Sequence, residues 1–229
     1  MDSQVKSKKR VADHGEVFTA EREVNAMLDL VKQETERIES RFLEPACGTG
    51  NFLVEILRRK LAVAKRRYKR SLADYERMSF IAVTSIYGVE LLQDNVDECR
   101  ERLFEIWDGE YKAVCKKECS DECREAVRYV LSKNILCGNA LSLLRVDENG
   151  EDIQNEPIIF AEWSPLMGGM IKRRDFRLDE LMREQSDSSQ MTLDSGDSHL
   201  QYSETENAYI PTPLREFLPT FYRKVQENG

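Results

Sequence analysis

The stretch FLEPACGTGNF, residues 42–52, constrains the fold more than any other part of the chain. A short apolar run ends in Glu44, a proline follows, and two glycines stand where a helix is starting. Pro45 is a poor continuation for a helix, so 41–43 reads as a buried strand that ends there. Gly48 and Gly50 tolerate positive φ and carry no side chain, which lets backbone come close to a ligand. Glu44, at the strand tip, is placed to accept a hydrogen bond from an ammonium group.

The flanking pattern supplies the rest of a layered fold. From Thr19, TAEREVNAMLDLVKQETERI spaces Val24, Met27, Leu28 and Val31 as one helical face, with Thr19 as its N-cap. Residues 51–75 put Phe52, Ile56, Leu57, Leu61, Ala64, Tyr68 and Leu72 on one stripe, which predicts a long amphipathic helix. A helical turn and a strand at 85–89 follow, then helices at 92–107 and 112–131 and a short strand at 134–137 closed by Gly138. Residues 158–161 read as a fourth apolar strand. Strand and helix alternate with no hairpin signal, so the expected class is α/β. In detail it is a Rossmann-like fold with a predominantly parallel sheet and helices on both faces, truncated after the fourth strand.

Regularity decays past Pro165. The organisation expected is a flexible N-terminus at 1–12 and one ligand-binding domain at 13–183. A serine-rich disordered linker at 184–205 and a C-terminal docking segment at 206–229 complete it, the last anchored by Phe217, Leu218, Phe221 and Tyr222.

Bulk properties exclude some classes. No apolar run approaches the roughly 18–20 residues that cross a bilayer, and MDSQVKSKKRVADHGE lacks the apolar centre of a secretory signal, so a cytoplasmic protein with no membrane partner is expected. Cys115, Cys119 and Cys123 recur every four residues, which stacks reduced thiols on one helix face, and no metal is expected. The net charge of −8 argues against a wholly basic nucleic-acid binder. Yet Arg58, Arg59, Lys60, Lys65, Arg66, Arg67, Lys69 and Arg70 crowd one predicted helix, where they can meet the phosphates of DNA.

A second carboxylate raises the value of the first. Glu90 ends the next strand in IYGVEL, where an acidic residue can accept both ribose hydroxyls of an adenosine-containing cofactor. No Gly-Lys-Ser/Thr follows the glycines, so the turn is not a phosphate-binding P-loop. The third glycine of a dinucleotide fingerprint is also missing, with Asn51 and Phe52 near its place.

PACGTGNFL, preceded by FLE, closely resembles the first motif of S-adenosylmethionine-dependent DNA methyltransferases that modify the exocyclic amine of adenine, as found in restriction-modification systems. HGEVFTAEREVNAML resembles that family's N-terminal cofactor motif, with Gly15 and Thr19 matching and Ala20 in place of a proline. IYGVELLQDNV resembles its ribose-binding motif, and ILCGNAL the motif flanking adenine, with Asn139 where an aspartate is usual. The resemblance implies S-adenosylmethionine as cofactor. It places Gly15, Phe18 and Thr19 at the methionine end, Glu44 and Pro45 at the ammonium, and Ala46, Cys47, Gly48, Gly50, Asn51 and Phe52 along the sugar. Glu90 and Leu91 would meet the ribose, and Asn139 and Ala140 the adenine.

Transfer to adenine in this family also uses an Asn or Asp, Pro, Pro, then Tyr or Phe stretch after the fourth strand. The sequence has AEWSP at that place. Glu162 is a candidate acceptor for the amine and Trp163 for base stacking, with Ser164 and Pro165 shaping the turn. Three readings follow: an adenine-specific DNA methyltransferase aided by a specificity or restriction subunit, a cofactor-binding accessory subunit without transfer activity, or a methyltransferase for a non-DNA substrate.

Overall fold

A computed structural model describes residues 19–183, 200–203 and 208–228. Helices α1 (Glu21–Asp29) and α2 (Lys32–Thr35) lead into β1 (Phe42–Glu44), α3 (Asn51–Tyr68), α4 (Leu72–Thr84) and β2 (Ile86–Glu90). Next come α5 (Gln93–Cys115), α6 (Asp121–Asn134) and β3 (Ile135–Cys137). The three strands form a parallel sheet in the order β1-β2-β3, with Glu44 opposite Gly88 and Glu90 opposite Cys137. The tips of all three therefore lie at one end.

Adjacent residues of β2 face opposite ways. Ile86 joins the main core with Leu53, Leu57, Leu103 and Trp107 from the helices, whereas Tyr87 and Val89 pack with Ile158, Phe160 and Leu178. One face of the sheet is thus covered by helices. The other meets Ile158, Phe160 and Leu178, of which Phe160 belongs to β6 (Ile159–Pro165), a strand that forms a hairpin with β7 (Met170–Arg177). Successive residues of β6 part in the same way: Phe160 joins the Tyr87 and Val89 cluster, whereas Ala161 and Trp163 join the helix-lined core.

Expectations are corrected in the same region. The fourth strand runs antiparallel to β7 rather than extending the parallel sheet. The fold is not truncated there. β7 also pairs with β10 (Arg215–Glu216) and β11 (Thr220–Phe221), before a 3-10 segment at Tyr222–Asn228. A hairpin of β4 (Leu144–Val146) and β5 (Asp152–Pro157) occupies the acidic stretch read as turns. This corrects the expectation of no hairpin signal: the Asn149-Gly150 pair is one, and Asp147 Oδ1 accepts from the N–H groups of Asn149 and Glu151 at 2.8 and 3.0 Å. Two further elements are α7 (Leu178–Arg183) and a hairpin of β8 (Leu200–Ser203) with β9 (Ala208–Pro211). Of the expected 184–205 linker, 184–199 and 204–205 lie outside the described residues, as does the 1–12 terminus.

Two serines break helices that apolar spacing alone runs together. Ser71 caps α4 by accepting from Asp74 N–H at 3.4 Å, splitting the predicted 51–75 helix. Ser120 caps α6 through Cys123 N–H at 3.3 Å. Cys115, Cys119 and Cys123 accordingly fall at the end of α5, in the link and in α6, instead of on one helix, and all six cysteines are free thiols. Ser71→Ala is expected to cost about 1 kcal/mol. Urea unfolding at unchanged slope checks it.

No helix among the described residues is long and apolar enough to cross a membrane. No cluster of three or more His, Cys, Asp or Glu among them is placed to hold a metal.

Candidate functional site

The glycine turn is fixed from three sides. Cys47 N–H donates to Val89 C=O at 3.0 Å and Gly50 N–H to Cys47 C=O at 2.7 Å, closing a tight bend between β1 and α3. Gly48 has φ 53° and Gly50 φ 84°, the left-handed values the sequence required of them. A Cβ on Gly50 would lie 2.5 Å from Cys99 Sγ on α5, so the bend is pressed against that helix. From the same helix Arg102 Nη1 donates to Thr49 C=O at 2.6 Å, Thr49 Oγ1 at 2.9 Å and Asn51 Oδ1 at 3.0 Å.

Asn51 links the turn to the start of the described chain. Its Nδ2 donates to Thr19 C=O at 3.0 Å, so two motifs 32 residues apart in sequence meet. Thr19 contributes its carbonyl here and does not cap α1, whose N-cap is Ala20 with no side-chain bond. Gly15 and Phe18 lie outside the described residues.

The two carboxylates have different environments. Glu90 is satisfied within the chain: its Oε2 accepts from Gly48 N–H at 2.9 Å, and its Oε1 from Leu92 N–H and Asn95 Nδ2, each at 3.2 Å. Glu44 is not. Its Oε2 is buried with no hydrogen-bond partner among the described residues. Burial first, and the nearby charge of Glu90 second, push its carboxyl up to about 8. An unpaired buried acceptor costs on the order of 1–3 kcal/mol, which a ligand's donor would recover. Below the bend, a hydrogen bond to Cys99 together with burial keeps the Cys47 thiol protonated.

The third tip completes the cluster. Gly138 N–H donates to Glu90 C=O at 2.9 Å, and Cys137 Sγ to Leu91 C=O at 3.4 Å, joining the end of β3 to that of β2. Asn139 Oδ1 accepts from Leu141 N–H and its Nδ2 donates to Asp152 Oδ1, both at 3.0 Å. Asp152 thus brings a carboxylate to the corner where Asn139 lacks one. Ala140 packs with the second apolar cluster. Pro45 and Ala46 are exposed on the bend, and Phe52 packs against the main core.

Sequence reasoning missed Arg102, Asn95 and Asp152. The signal for the first was a cation within the helix after Glu90, on a turn that also carries buried Cys99 and Leu103. Asn95 was visible only as a polar residue five after Glu90, and Asp152 required the β4–β5 hairpin.

The residues Glu162, Trp163, Ser164 and Pro165 are not part of this cluster. They lie inside β6, paired with Arg174, Arg173, Lys172 and Ile171, and not in a loop beyond a strand tip. Trp163 is 3% exposed and donates through Nε1 to Asn134 Oδ1 at 2.8 Å, at the entry to β3. Glu162 is held by Arg41 and Arg174, each at 2.5 Å, with Arg41 just before β1. This is the opposite end of the sheet from the glycine bend, so the expectation that these four residues flank the transferred group is corrected. Trp163 is an indole buried with its donor satisfied, and Glu162 is neutralised by two ion pairs.

Three short parallel strands, two of them ending in a carboxylate beside a two-glycine bend, define an α/β domain. Residues 17–182 match the family described as MmeI, DNA-methyltransferase domain, and the chain belongs to that restriction-modification-type DNA methyltransferase family. It is also similar to DNA methyltransferase A of Bacillus subtilis (strain 168), 25% identical over 149 residues. That match covers 62% of this chain and 16% of the relative, so the chain spans a small part of that protein's length. No solved structure matches it at a significant level.

Proposed function

We propose that this domain holds S-adenosylmethionine at the glycine bend and serves DNA methylation on the exocyclic amine of adenine, in the cytoplasm, within a restriction-modification or phage-defence system. The observation that carries the reading is the orphaned Glu44 Oε2, a buried acceptor beside a bend whose two glycines carry no side chain. An α-ammonium group fits it by charge and by hydrogen bonding. Bound there, the cofactor supplies an activated methyl group. Glu44 would orient the amino-acid end, residues 46–50 would lie along the sugar, and Glu90 would set the ribose edge by anchoring Gly48 and Leu92 and offering its remaining lone pairs. Asn139, fixed by Asp152, would face the adenine together with Leu91 and Ala140.

DNA contact is assigned to the outer face of α3. Lys60 is unavailable, because it is buried with its ammonium on Ile38 C=O at 3.1 Å, Ser85 Oγ at 2.5 Å and Ser40 C=O. Arg59 is engaged with Glu55 and Asp29, and Lys65 with Glu110. Arg66, Arg67, Lys69 and Arg70 remain exposed and fit phosphate.

The burial of Trp163 favours a second reading, a cofactor-holding subunit whose base-contacting residues come from another polypeptide, such as a specificity or restriction subunit. Calorimetry and tritium transfer separate the two. Binding of the cofactor, weakened roughly 5- to 150-fold by Glu90→Ala through about 1–3 kcal/mol of lost interaction, is expected under both. Methyl incorporation into unmethylated duplex DNA by the chain alone supports the first reading, and incorporation only with a partner subunit supports the second. No cofactor binding at millimolar concentration overturns both.

A further inference from the structure

Beside the outer edge of β3 lies a groove of about 530 Å³ that the glycine bend does not use. Because Gly138 N–H points to β2, the alternation of a parallel strand turns the backbone of Ile135 outward. That edge is already closed: Ile135 N–H bonds Leu131 C=O, and its carbonyl accepts from Arg100 Nε at 3.0 Å and Nη2 at 2.6 Å. Addition of a peptide strand is blocked at this residue.

What the groove offers instead is positive charge. Arg100, Lys133, Arg145, Arg173 and Arg215 line it, and Asp175 is the one carboxylate among its described lining residues. Both oxygens of Asp175 are taken by Arg173, at 2.8 Å each, so that charge is spent. Arg145 pairs with Glu156 at 3.0 Å. Lys133 and Arg215 have no carboxylate within ion-pair distance among the described residues and rest only over the rings of Tyr129 and Phe217, at 5.2 and 5.8 Å. Burial, reinforced by the charges of Arg173 and Arg215 and opposed by that of Asp175, lowers the affinity of Lys133 for its proton. Like charges gathered in a partly enclosed space are relieved by an anion, and arginine forks favour phosphate geometry. The volume is that of a small-ligand site and exceeds what one bare ion fills.

We infer that the groove beside β3, with Lys133 and Arg215 as its open cations, is a phosphate-binding site for a nucleic-acid backbone or a free phosphate compound. It uses none of the residues assigned to the cofactor and does not require methyl transfer.

The test uses the full chain, with inorganic phosphate and an unmethylated 20-base-pair duplex as probes. The variants are Lys133→Gln with Arg215→Gln, and Arg66→Gln with Arg67→Gln for comparison. For a nucleic-acid source, the groove variant is expected to weaken the duplex at least tenfold and to reduce the slope of log affinity against log salt by about 2, since each phosphate contact contributes about 0.9. For a free-phosphate source, inorganic phosphate binding falls at least tenfold in the groove variant while duplex binding holds. Unchanged affinity for both probes in a variant that melts like the parent overturns the inference, as does failure of the parent chain to bind either. A Lys133→Arg and Arg215→Lys pair, which preserves charge, is expected to restore at least half of the lost affinity in either case. Calorimetry with S-adenosylmethionine on the same variants keeps the outcome separate from that of the cofactor reading.

Discussion

Glu44→Gln will make the ligand-free protein more stable at pH 8 and at the same time weaken S-adenosylmethionine binding about 30- to 100-fold. The two effects have one cause. In the folded chain the Glu44 carboxyl is raised to about 8 by burial and by Glu90, from an ordinary value near 4.5. The folded state therefore holds a proton there that the unfolded state has released, and stability falls as pH rises from about 4.5 to about 8. Glutamine removes that falling limb, with an expected gain of about 1–3 kcal/mol at pH 8. The cofactor's ammonium needs the ionised carboxylate, so parent affinity climbs more than tenfold between pH 6 and 8. It then turns over as the ligand's own α-amino group, near 7.7–8.0, loses its proton. The variant should show no climb. Calorimetry at five pH values, with chemical denaturation in parallel, decides the matter, and a parent protein whose affinity is flat from pH 6 to 8 would remove Glu44 from the ammonium's side.

The bend itself was legible because its chemistry is local. Pro45 and the two glycines state their backbone requirements within six residues, and Gly48 and Gly50 take the left-handed conformations those requirements imply. The parallel pairing of the first three strands was legible too, since apolar runs separated by long amphipathic helices leave few alternatives. Helix ends at Ser71 and Ser120 were hidden by apolar spacing that continues in register across both breaks, although each serine stands three residues before the N–H it accepts. The sequence was least informative about β6. Its apolar run reads equally as a fourth parallel strand or an antiparallel one, and only its partner decides. That partner, MIKRRDFR, carries four cations that obscure alternation, yet Arg173 and Arg174 are drawn inward by Asp175 and Glu162. Charges neutralised by a distant segment cannot be weighed from spacing, and for that reason the ion pairs of Glu162 and the burial of Trp163 were hidden.

The same principle governs the C-terminal end, where a buried carboxylate holds the fold together. Glu76, 2% exposed on α4, accepts from the hydroxyls of Tyr111 on α5 and Tyr222 in the closing 3-10 segment, and from Arg223 Nε at 2.6 Å. Three elements thus converge on one side chain, while Tyr222 packs on Phe80 with ring centroids 5.4 Å apart and Val225 is buried beside it. Leu218 stays 84% exposed, so this polar knot and the two buried side chains, rather than the whole apolar set of the segment, dock it. Glu76→Ala strands two hydroxyls and a guanidinium without their acceptor, and is expected to cost about 3–5 kcal/mol. For a chain of this length that corresponds to a fall of roughly 6–20 °C in melting temperature. Glu76→Gln keeps one acceptor oxygen and should lose less. A double-mutant cycle with Arg223→Ala tests the mechanism: the charge contact predicts coupling of about 1–3 kcal/mol. Additive losses would mean that the segment is held by Tyr222 and Val225 alone. Because Glu76 shares no hydrogen bond with the glycine bend, the folded fraction of each variant should bind cofactor within twofold of the parent, which separates the anchoring of the C-terminal segment from the chemistry at the strand tips.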